Sequence, residues 1–275
     1  MVGKEGPAIN FKSGKMDRVK PKKSLGQHFL RDKSIAEKIA GSLSGDDCSS
    51  VLEVGPGMGI LTGFLLKRQF PDFRVIEIDR ESVNYLRNAY PGQINIIEGD
   101  FLAFDIRSNF TGRIAIIGNF PYNISSQIFF RVLENRDIVT EVCGMLQKEV
   151  AQRICAKPGS KTYGILSVLL QAYYSASYLF SVPAGVFSPP PKVMSGVVRL
   201  TRNNREHLDC DEDLFFRVVK GCFNQRRKTL RNSVRAAFNV RSEDNQILQL
   251  RPEQLSVDQF VDLTNWVSEN LITSE

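Results

Sequence analysis

Between residues 51 and 146, short apolar runs alternate with segments whose apolar residues recur at helical spacing. Four of the runs, at 51–54, 74–78, 94–97 and 113–117, are rich in Val and Ile. This alternation is typical of a mostly parallel sheet with helices on both faces. The sequence therefore predicts an α/β fold in which ligands bind at the carboxyl ends of the strands.

After residue 146 the pattern changes. Two further strand-like runs, 178–182 and 193–200, flank a proline-rich segment, and the alternation within the second predicts that it closes the sheet antiparallel. From about residue 202 onward, apolar side chains recur at helical spacing. We therefore predict three parts, which are a disordered basic extension at 1–19, the α/β domain at 20–202 and a small helical domain at 203–275.

The composition is that of an ordinary soluble globular protein, with 42% hydrophobic and 24% charged residues. No run approaches the roughly 18 apolar residues of a membrane span, and no signal peptide opens the chain. Five scattered cysteines without a CxxC pair, beside two histidines, argue against a metal site and for free thiols in a reducing cytoplasm. We therefore expect a monomeric cytoplasmic protein with neither metal nor membrane partner.

The net charge of +6 is unevenly distributed along the chain. Residues 1–23 carry seven basic and two acidic side chains, whereas residues 242–275 carry seven acidic and one basic. Such an uneven charge distribution produces an electrostatic field that favours an anionic partner near the basic end. A solvated basic arm without a partner is the alternative, so the charge alone does not identify what binds.

A glycine-rich loop at 55–59 (GPGMG) directly follows the first strand and opens a helix. Glycines allow a tight turn with close ligand approach, and N–H groups at a helix start favour negative groups. Glu77 ends the second strand 22 residues after Gly55, where it can bind a ribose diol, and Asp100 follows the third, where it can accept from an adenine amino group. The pattern fits a nicotinamide dinucleotide or S-adenosylmethionine, and the GxGxG spacing weakens the first.

The fourth strand ends in Gly118, followed by Asn119-Phe120-Pro121-Tyr122. These four residues have the [N/D]-x-P-[Y/F/W] form of methyltransferases that act on adenine amino groups. A turn with a packed Tyr is the alternative interpretation of the four residues taken alone. A dehydrogenase would need a proton donor, and none is evident after this strand, so the combination favours S-adenosylmethionine.

The residue types suit methylation of an adenine amino nitrogen, which is a poor nucleophile because its lone pair is delocalised into the ring. Acceptors on the Asn119 side chain and the Pro121 carbonyl would hold the amino hydrogens, and the Tyr122 ring would stack on the base. Catalysis would then rest on positioning and electrostatics rather than on a dedicated base. The target base must be flipped out or unpaired to enter such a site.

The chain resembles the ribosomal-RNA adenine N6,N6-dimethyltransferase family, specifically its bacterial branch, which dimethylates two adjacent adenosines in a hairpin loop near the 3′ end of 16S rRNA. The resemblance covers about residues 20–271. Its markers are 21–30 (PKKSLGQHFL), 53–59, 77–79, 99–100, 118–126, 187–193 and 223–232. It implies S-adenosylmethionine as the cofactor and 16S rRNA within an immature 30S subunit as the partner.

The resemblance also implies roles for individual residues. The cofactor site would be lined by His28, Leu30, Gly55, Glu77, Asp100 and Asn119. Phe187 would join the catalytic residues Asn119, Pro121 and Tyr122 by facing Tyr122 across the target base, whereas the residues alone predict a loop-anchoring aromatic. The family often has Asn at position 28, which leaves the hydrogen bonding of His28 open.

The basic side chains after residue 225 are predicted to lie on one helical stretch. Arg227 and Arg231 would share a face of this helix, and so would Arg231 and Arg235, because each pair is four residues apart. Beside a base-methylating site, phosphate contact is favoured over a merely solvated face. The predicted RNA-binding residues are Lys22, Lys23, Lys192, Arg226, Arg227, Lys228 and Arg231.

Three alternatives stay open. The first is the related enzyme that methylates one 23S rRNA adenosine, against which the motifs at 187–193 and 223–232 argue. The second is a DNA adenine methyltransferase, which would need a sequence-reading domain that the chain does not suggest. The third is a ribosome-assembly or nucleic-acid-binding factor in which methylation is secondary.

Overall fold

The computed structural model describes residues 19–242 and 244–272, so residues 1–18 of the predicted basic extension lie outside the described residues. The strands are β1 (Phe29–Leu30), β2 (Ser50–Val54), β3 (Phe73–Glu77), β4 (Asn95–Glu98), β5 (Ile114–Asn119), β6 (Val139–Gln147), β7 (Tyr174–Val182), β8 (Phe187–Ser188) and β9 (Ser195–Arg202). The helices are α1 (Lys33–Ser42), α2 (Ile60–Leu66), α3 (Arg80–Ala89), α4 (Ile106–Asn109), α5 (Ser125–Glu134), α6 (Lys148–Ile154), α7 (Ile165–Gln171), α8 (Glu212–Asn224), α9 (Leu230–Ala237) and α10 (Val257–Asn270).

Seven of these strands form one sheet in the order β4-β3-β2-β5-β6-β9-β7. Strands β4, β3, β2, β5 and β6 pair in parallel, and β9 pairs antiparallel with both β6 and β7. The predicted α/β fold and the antiparallel closing strand are therefore confirmed. The chain leaves β2 in one direction towards β3 and β4 and continues on the other side with β5, so a crevice opens at the carboxyl ends of β2 and β5.

The central strands are buried on both faces, as parallel strands covered by helices must be. In β2, Val51 belongs to one apolar cluster and Leu52 to the other. In β5, Ile114 and Ile116 face the second cluster, and Ala115 and Ile117 face the first. Burial on both faces fixes the register of β5, and with it the position of the four residues that follow.

The elements after Arg202 are helical, and their apolar side chains share a cluster with one face of the sheet. The predicted division at residue 202 stays a prediction, because one continuous core joins both parts. The predicted basic helix is wrong: α8 ends at Asn224, a turn follows, and α9 begins at Leu230. No helix among the described residues is both long and apolar enough to cross a membrane.

Candidate active site

The glycine-rich loop lies at the carboxyl end of β2, as predicted. Gly57 has a φ of +56°, and a Cβ at this position would stand 2.9 Å from the Phe29 ring. Only glycine therefore lets the loop turn here while β1 packs against it. The Gly57 N–H donates to Glu77 Oε2 (3.0 Å), which ties the loop to the end of the neighbouring strand.

Glu77 is the acidic group at the centre of the site. Its side chain is buried, and its second oxygen, Oε1, accepts from the Asp79 N–H (2.9 Å). Burial raises the pKa of Glu77, and the two backbone donors oppose that rise. Both carboxylate oxygens are thus oriented by backbone groups, which leaves their remaining lone pairs available to a ligand with hydroxyl donors.

Glu53 is a second buried acid beside this pocket, which sequence reasoning did not single out. It is 1% exposed and accepts from Thr62 Oγ1 (2.7 Å). Burial raises the pKa of Glu53 to about 8, from 4.5 in an ordinary environment. The folded protein therefore holds this proton more tightly than the unfolded chain, so the contribution of Glu53 to stability is complete below about pH 4.5 and is lost as the pH rises towards 8.

We expect Glu53→Gln to remove this loss of stability, because the amide stays neutral at every pH. We compare the thermal unfolding midpoint of the variant with that of wild type at each pH. This midpoint difference should be more favourable to the variant at about pH 8 than at about pH 5, by roughly 4–8 °C. Scanning calorimetry of both proteins at the two pH values measures the change. A midpoint difference that is the same at both would contradict a neutral buried Glu53.

The other end of the pocket is formed after β3 and β4. Asp100 is exposed at the pocket edge and accepts from the Leu102 N–H through Oδ1 (2.9 Å). Ile78 also lines the pocket and is 49% exposed, so it presents apolar surface there. An apolar surface beside a carboxylate acceptor suits a planar heterocycle that carries an amino group.

Residues 25–30 form one wall of the pocket, anchored by the pairing of β1 with β8. Leu30 is buried, and His28 lies at the pocket edge with its Nδ1 2.8 Å from the Pro189 carbonyl oxygen. Because a carbonyl oxygen can only accept, Nδ1 carries the proton in this contact. The hydrogen bonding of His28, which the sequence leaves open, is thereby determined: its ring fastens this wall to the segment after β8.

Asn119 is the last residue of β5, and its side-chain nitrogen donates to the His28 carbonyl oxygen (2.9 Å). That carbonyl can only accept, so the orientation of the Asn119 amide is determined. Its Oδ1 has no hydrogen-bond donor among the described residues and belongs to a side chain that lines the pocket. Pro121, whose carbonyl is the second predicted acceptor, also lines the pocket, and this carbonyl accepts from the Ile124 N–H (3.2 Å).

The backbone between these acceptors is fixed by a buried ring. Phe120 is fully buried, and its N–H donates to the Met145 carbonyl (2.9 Å). A Cβ at Gly118 would lie 2.4 Å from the Val54 carbonyl oxygen, so no larger residue fits there. Asn119 is therefore held at the end of a close-packed strand, and Pro121 directly follows the anchored Phe120.

Tyr122 is half-buried, and its ring lies 5.4 Å from that of His28, centroid to centroid, with a tilt of 35°. Its hydroxyl is 2.5 Å from Ser195 Oγ. Ser195 is fully buried and begins β9, where it pairs with both Gln147 and Val182. The sheet thus fixes the Ser195 hydroxyl, and that hydroxyl fixes the direction of the Tyr122 ring. Sequence reasoning missed this partner.

We expect Tyr122→Phe and Ser195→Ala each to lower kcat for methyl transfer about tenfold, because either change frees the ring to rotate. The double variant should be no slower than either single variant, since both remove the same contact. The Kd for S-adenosylmethionine should stay unchanged. Single-turnover rates at saturating RNA and cofactor measure the cycle, and losses that multiply in the double variant would contradict the coupling.

Phe187 is not among the pocket-lining residues in the described chain. It is 3% exposed and packs in an apolar cluster with Leu30 and Val182. The structure thus places it as the loop-anchoring aromatic that the residues alone predict. Its implied position across the target base from Tyr122 stays a prediction, which would require the segment around β8 to move.

The predicted RNA-binding residues separate into two groups. Lys22 bonds Asp79 and lies 3.1 Å from Glu81, and the bond to Asp79 raises the pKa of Lys22. A phosphate contact by Lys22 would require this pair to break. The other residues, apart from Arg231, are exposed or half-exposed and form no ion pair with acidic groups of the described chain. These others are Lys23, Lys192, Arg226, Arg227 and Lys228.

One pocket therefore collects His28, Leu30, Gly55, Glu77, Asp100, Asn119, Pro121 and Tyr122. The described residues include no group of three or more His, Cys, Asp or Glu placed to hold a metal ion. The residues of this pocket fit S-adenosylmethionine: Glu77 would accept from ribose hydroxyls, and Asp100 with Ile78 would suit adenine. Bound there, it would supply an electrophilic methyl group, and the acceptors of Asn119 and Pro121 would direct a nucleophilic amino nitrogen towards it.

Residues 18–269 match the family model described as ribosomal RNA adenine dimethylase. Among curated relatives, the "Ribosomal RNA small subunit methyltransferase A" of Bacteroides thetaiotaomicron is 55% identical, with 94% of this chain and 98% of the relative covered. The protein of the same name from Cytophaga hutchinsonii is also 55% identical, with 92% and 99% covered.

Two solved structures share the fold. A dimethyladenosine transferase from Plasmodium falciparum has a TM-score of 0.71 at 23% identity, with 88% of this chain and 98% of that chain covered. The 23S rRNA methyltransferase ErmE has a TM-score of 0.64 at 24% identity, with 87% and 99% covered. At these identities the two structures support the fold and do not distinguish between RNA targets.

Proposed function

The chain belongs to the ribosomal RNA adenine dimethylase family, and from this premise we propose that it transfers methyl groups from S-adenosylmethionine to N6 of two adjacent adenosines in a hairpin loop near the 3′ end of 16S rRNA. The substrate would be an immature 30S subunit in the cytoplasm, bound by a monomer. The curated relatives act, by their names, on the small ribosomal subunit, which supports this target over 23S rRNA.

The observation that carries the proposal is the fixed orientation of the Asn119 amide. With its nitrogen committed to the His28 carbonyl, Oδ1 is an acceptor at the pocket wall and suits an amino hydrogen of the target base. The Pro121 carbonyl would hold the second hydrogen. Two acceptors of this kind would favour a pyramidal nitrogen, whose lone pair is less delocalised into the ring, and would stabilise the positive charge that develops on nitrogen.

Further residues would position the base and the RNA. The Tyr122 ring, fixed by Ser195, would stack on the flipped adenine. We propose that residues 203–275 form an RNA-binding helical domain. The basic turn of this domain, residues 225–229 between α8 and α9, would contact phosphates together with Lys23 and Lys192. These contacts would supply affinity and register, while the pocket would select the amino group.

The test uses 30S particles reconstituted with transcribed 16S rRNA, which carries no modification before the reaction. The purified chain is incubated with these particles and labelled S-adenosylmethionine, and the rRNA is digested for nucleoside mass spectrometry. We expect N6,N6-dimethyladenosine at two adjacent positions near the 3′ end. Its absence would overturn the proposal, and label in 23S rRNA from parallel 50S reactions would support the large-subunit alternative instead.

A further inference from the structure

Helix α6 and the loop that follows it connect the active site to the basic turn between α8 and α9. At one end, the Lys148 N–H donates to the Met194 carbonyl (3.0 Å), immediately before the serine that fixes Tyr122. At the other end, the Arg226 guanidinium donates to the Lys161 carbonyl. The Gly159 N–H also donates to the Glu253 carbonyl (2.6 Å). Residues 148–161 are thus a continuous bridge between the pocket rim and the basic turn.

The lysines on this bridge, Lys148, Lys157 and Lys161, form no ion pair with an acidic side chain of the described residues. Lys157 and Lys161 are exposed, and Lys148 is half-buried. The acid on α6, Glu149, is neutralised by Arg153 (2.8 Å). By contrast, ion pairs hold Arg74, Arg80, Arg87, Arg107, Arg113, Arg131, Arg136 and Arg205.

Where the bridge meets the helical part, the Gly159 N–H donates to the backbone carbonyl of an acidic residue, Glu253. It is half-buried, and its Oε2 is shielded from solvent. Among the described residues, Oε2 has no hydrogen-bond partner and Glu253 forms no ion pair with the lysines. The bridge keeps its positive charge exposed to an outside partner.

The backbone that carries these lysines is rigid. Gln171 Nε2 donates to both the Ile154 and Ala156 carbonyls (2.8 Å each), which holds the end of α6 and the start of the loop. The loop ends in Tyr163, which is fully buried, and Ser167 Oγ donates to the Arg153 carbonyl. A ligand on this surface would order lysine side chains but no backbone, which lowers the entropic cost of binding.

We propose that Lys148, Lys157 and Lys161 form a phosphate track for the rRNA strand that joins the base in the pocket to the contacts at Arg226–Lys228. This inference rests on the proposed function and adds a path for the RNA across the surface. Ammonium groups on a fixed backbone bind phosphates without reading sequence, so the track would set the register of the strand. A nucleic acid fits better than an acidic protein because the lysines lie along one chain segment, which runs from the bond with Met194 near Tyr122 to the bond with Arg226 in the basic turn.

The test is Lys157→Gln/Lys161→Gln in the full-length chain, with filter binding to the reconstituted, unmodified 30S particles across a salt series. We expect affinity at about 0.1 M salt to fall about tenfold. The slope of log K against log salt should become shallower by about 1.4, at roughly 0.7 for each phosphate that is no longer neutralised. The matched control is Lys38→Gln/Lys67→Gln, which removes the same charge from exposed lysines that lie over the Phe180 and Phe64 rings.

The readouts separate this inference from the proposed function. Methylation of 16S rRNA by the wild-type chain tests the function alone and does not involve the variant. An affinity and a salt slope equal to those of wild type would overturn the track. A decrease in affinity with an unchanged slope, or a decrease equal to that of the control, would overturn it as well, because neither indicates that Lys157 and Lys161 neutralise phosphates.

Discussion

Replacing Asn119 with alanine should lower kcat for methyl transfer by about 10³-fold, the largest loss expected from any single side chain in the pocket. The change removes the acceptor Oδ1, which is fixed in place by the bond from the amide nitrogen to the His28 carbonyl (2.9 Å). That acceptor gains strength only as positive charge develops on the target nitrogen, so its loss should appear in kcat more than in binding. We expect the Kd for S-adenosylmethionine to change by less than about tenfold, because Glu77 and Asp100 remain.

A second substitution separates the two roles of this amide. Asn119→Asp keeps an acceptor towards the pocket but cannot donate to the His28 carbonyl, so it should retain about tenfold more activity than the alanine variant. Single-turnover rates with the reconstituted 30S particles measure both variants. An alanine variant that keeps more than about a tenth of the wild-type kcat would show that the Asn119 amide is not the acceptor for the reacting amino group.

The parts of the site that could be predicted are those governed by strand ends. Buried apolar runs mark the strands, and parallel strands bring their carboxyl ends to one edge. Glu77, Asp100 and Asn119 each stand at such an end, so counting along the sequence was enough to place them together. Their predicted contacts with cofactor and base are tested by variants, as described for Asn119.

The break after α8 could not be predicted from helix propensity, because residues 225–228 (QRRK) all favour helix. The break at 225–229 comes from contacts distant in sequence. Arg226 bonds the Lys161 carbonyl, and the Leu230 N–H donates to the Leu250 carbonyl (2.7 Å). Tertiary hydrogen bonds of this kind leave no periodic signal in the sequence. The local spacing of residues therefore predicts one helix through residues 225–229, where the structure has a turn.

Contacts between short, distant segments were equally invisible. The pairing of β1 with β8 joins Phe29 to Ser188 through strands of only two residues each, and it is this pairing that buries Phe187. The ion pair of Lys22 could not be predicted from the sequence for the same reason. A lysine in a basic run predicts a phosphate contact, and only the fold brings Asp79 beside it. The Tyr122–Ser195 bond likewise depends on β9 lying against β6.

The second large effect is expected at Glu77, where alanine should weaken S-adenosylmethionine binding at least about a hundredfold. The buried carboxylate would accept from two ribose hydroxyls, each worth about 1.5–3 kcal/mol as a bond to a charged group. Its removal also leaves the Gly57 and Asp79 N–H groups without their acceptor, which loosens the glycine loop. Isothermal titration with S-adenosylmethionine measures the loss.

Glu77→Gln makes this prediction sharper, because the isosteric amide should bind nearly as poorly as alanine. Each carboxylate oxygen of Glu77 accepts from a backbone N–H, at 3.0 Å from Gly57 and 2.9 Å from Asp79, so a glutamine NH₂ would have to face one of these donors. Its matched control is Glu98→Gln, which alters the register partner of Glu77 at the end of β4, where the carboxylate pairs with Arg80 and Arg87. The control should bind S-adenosylmethionine like wild type. A Glu77→Gln variant that binds within about threefold of that control would mean that the Glu77 carboxylate is not the ribose acceptor.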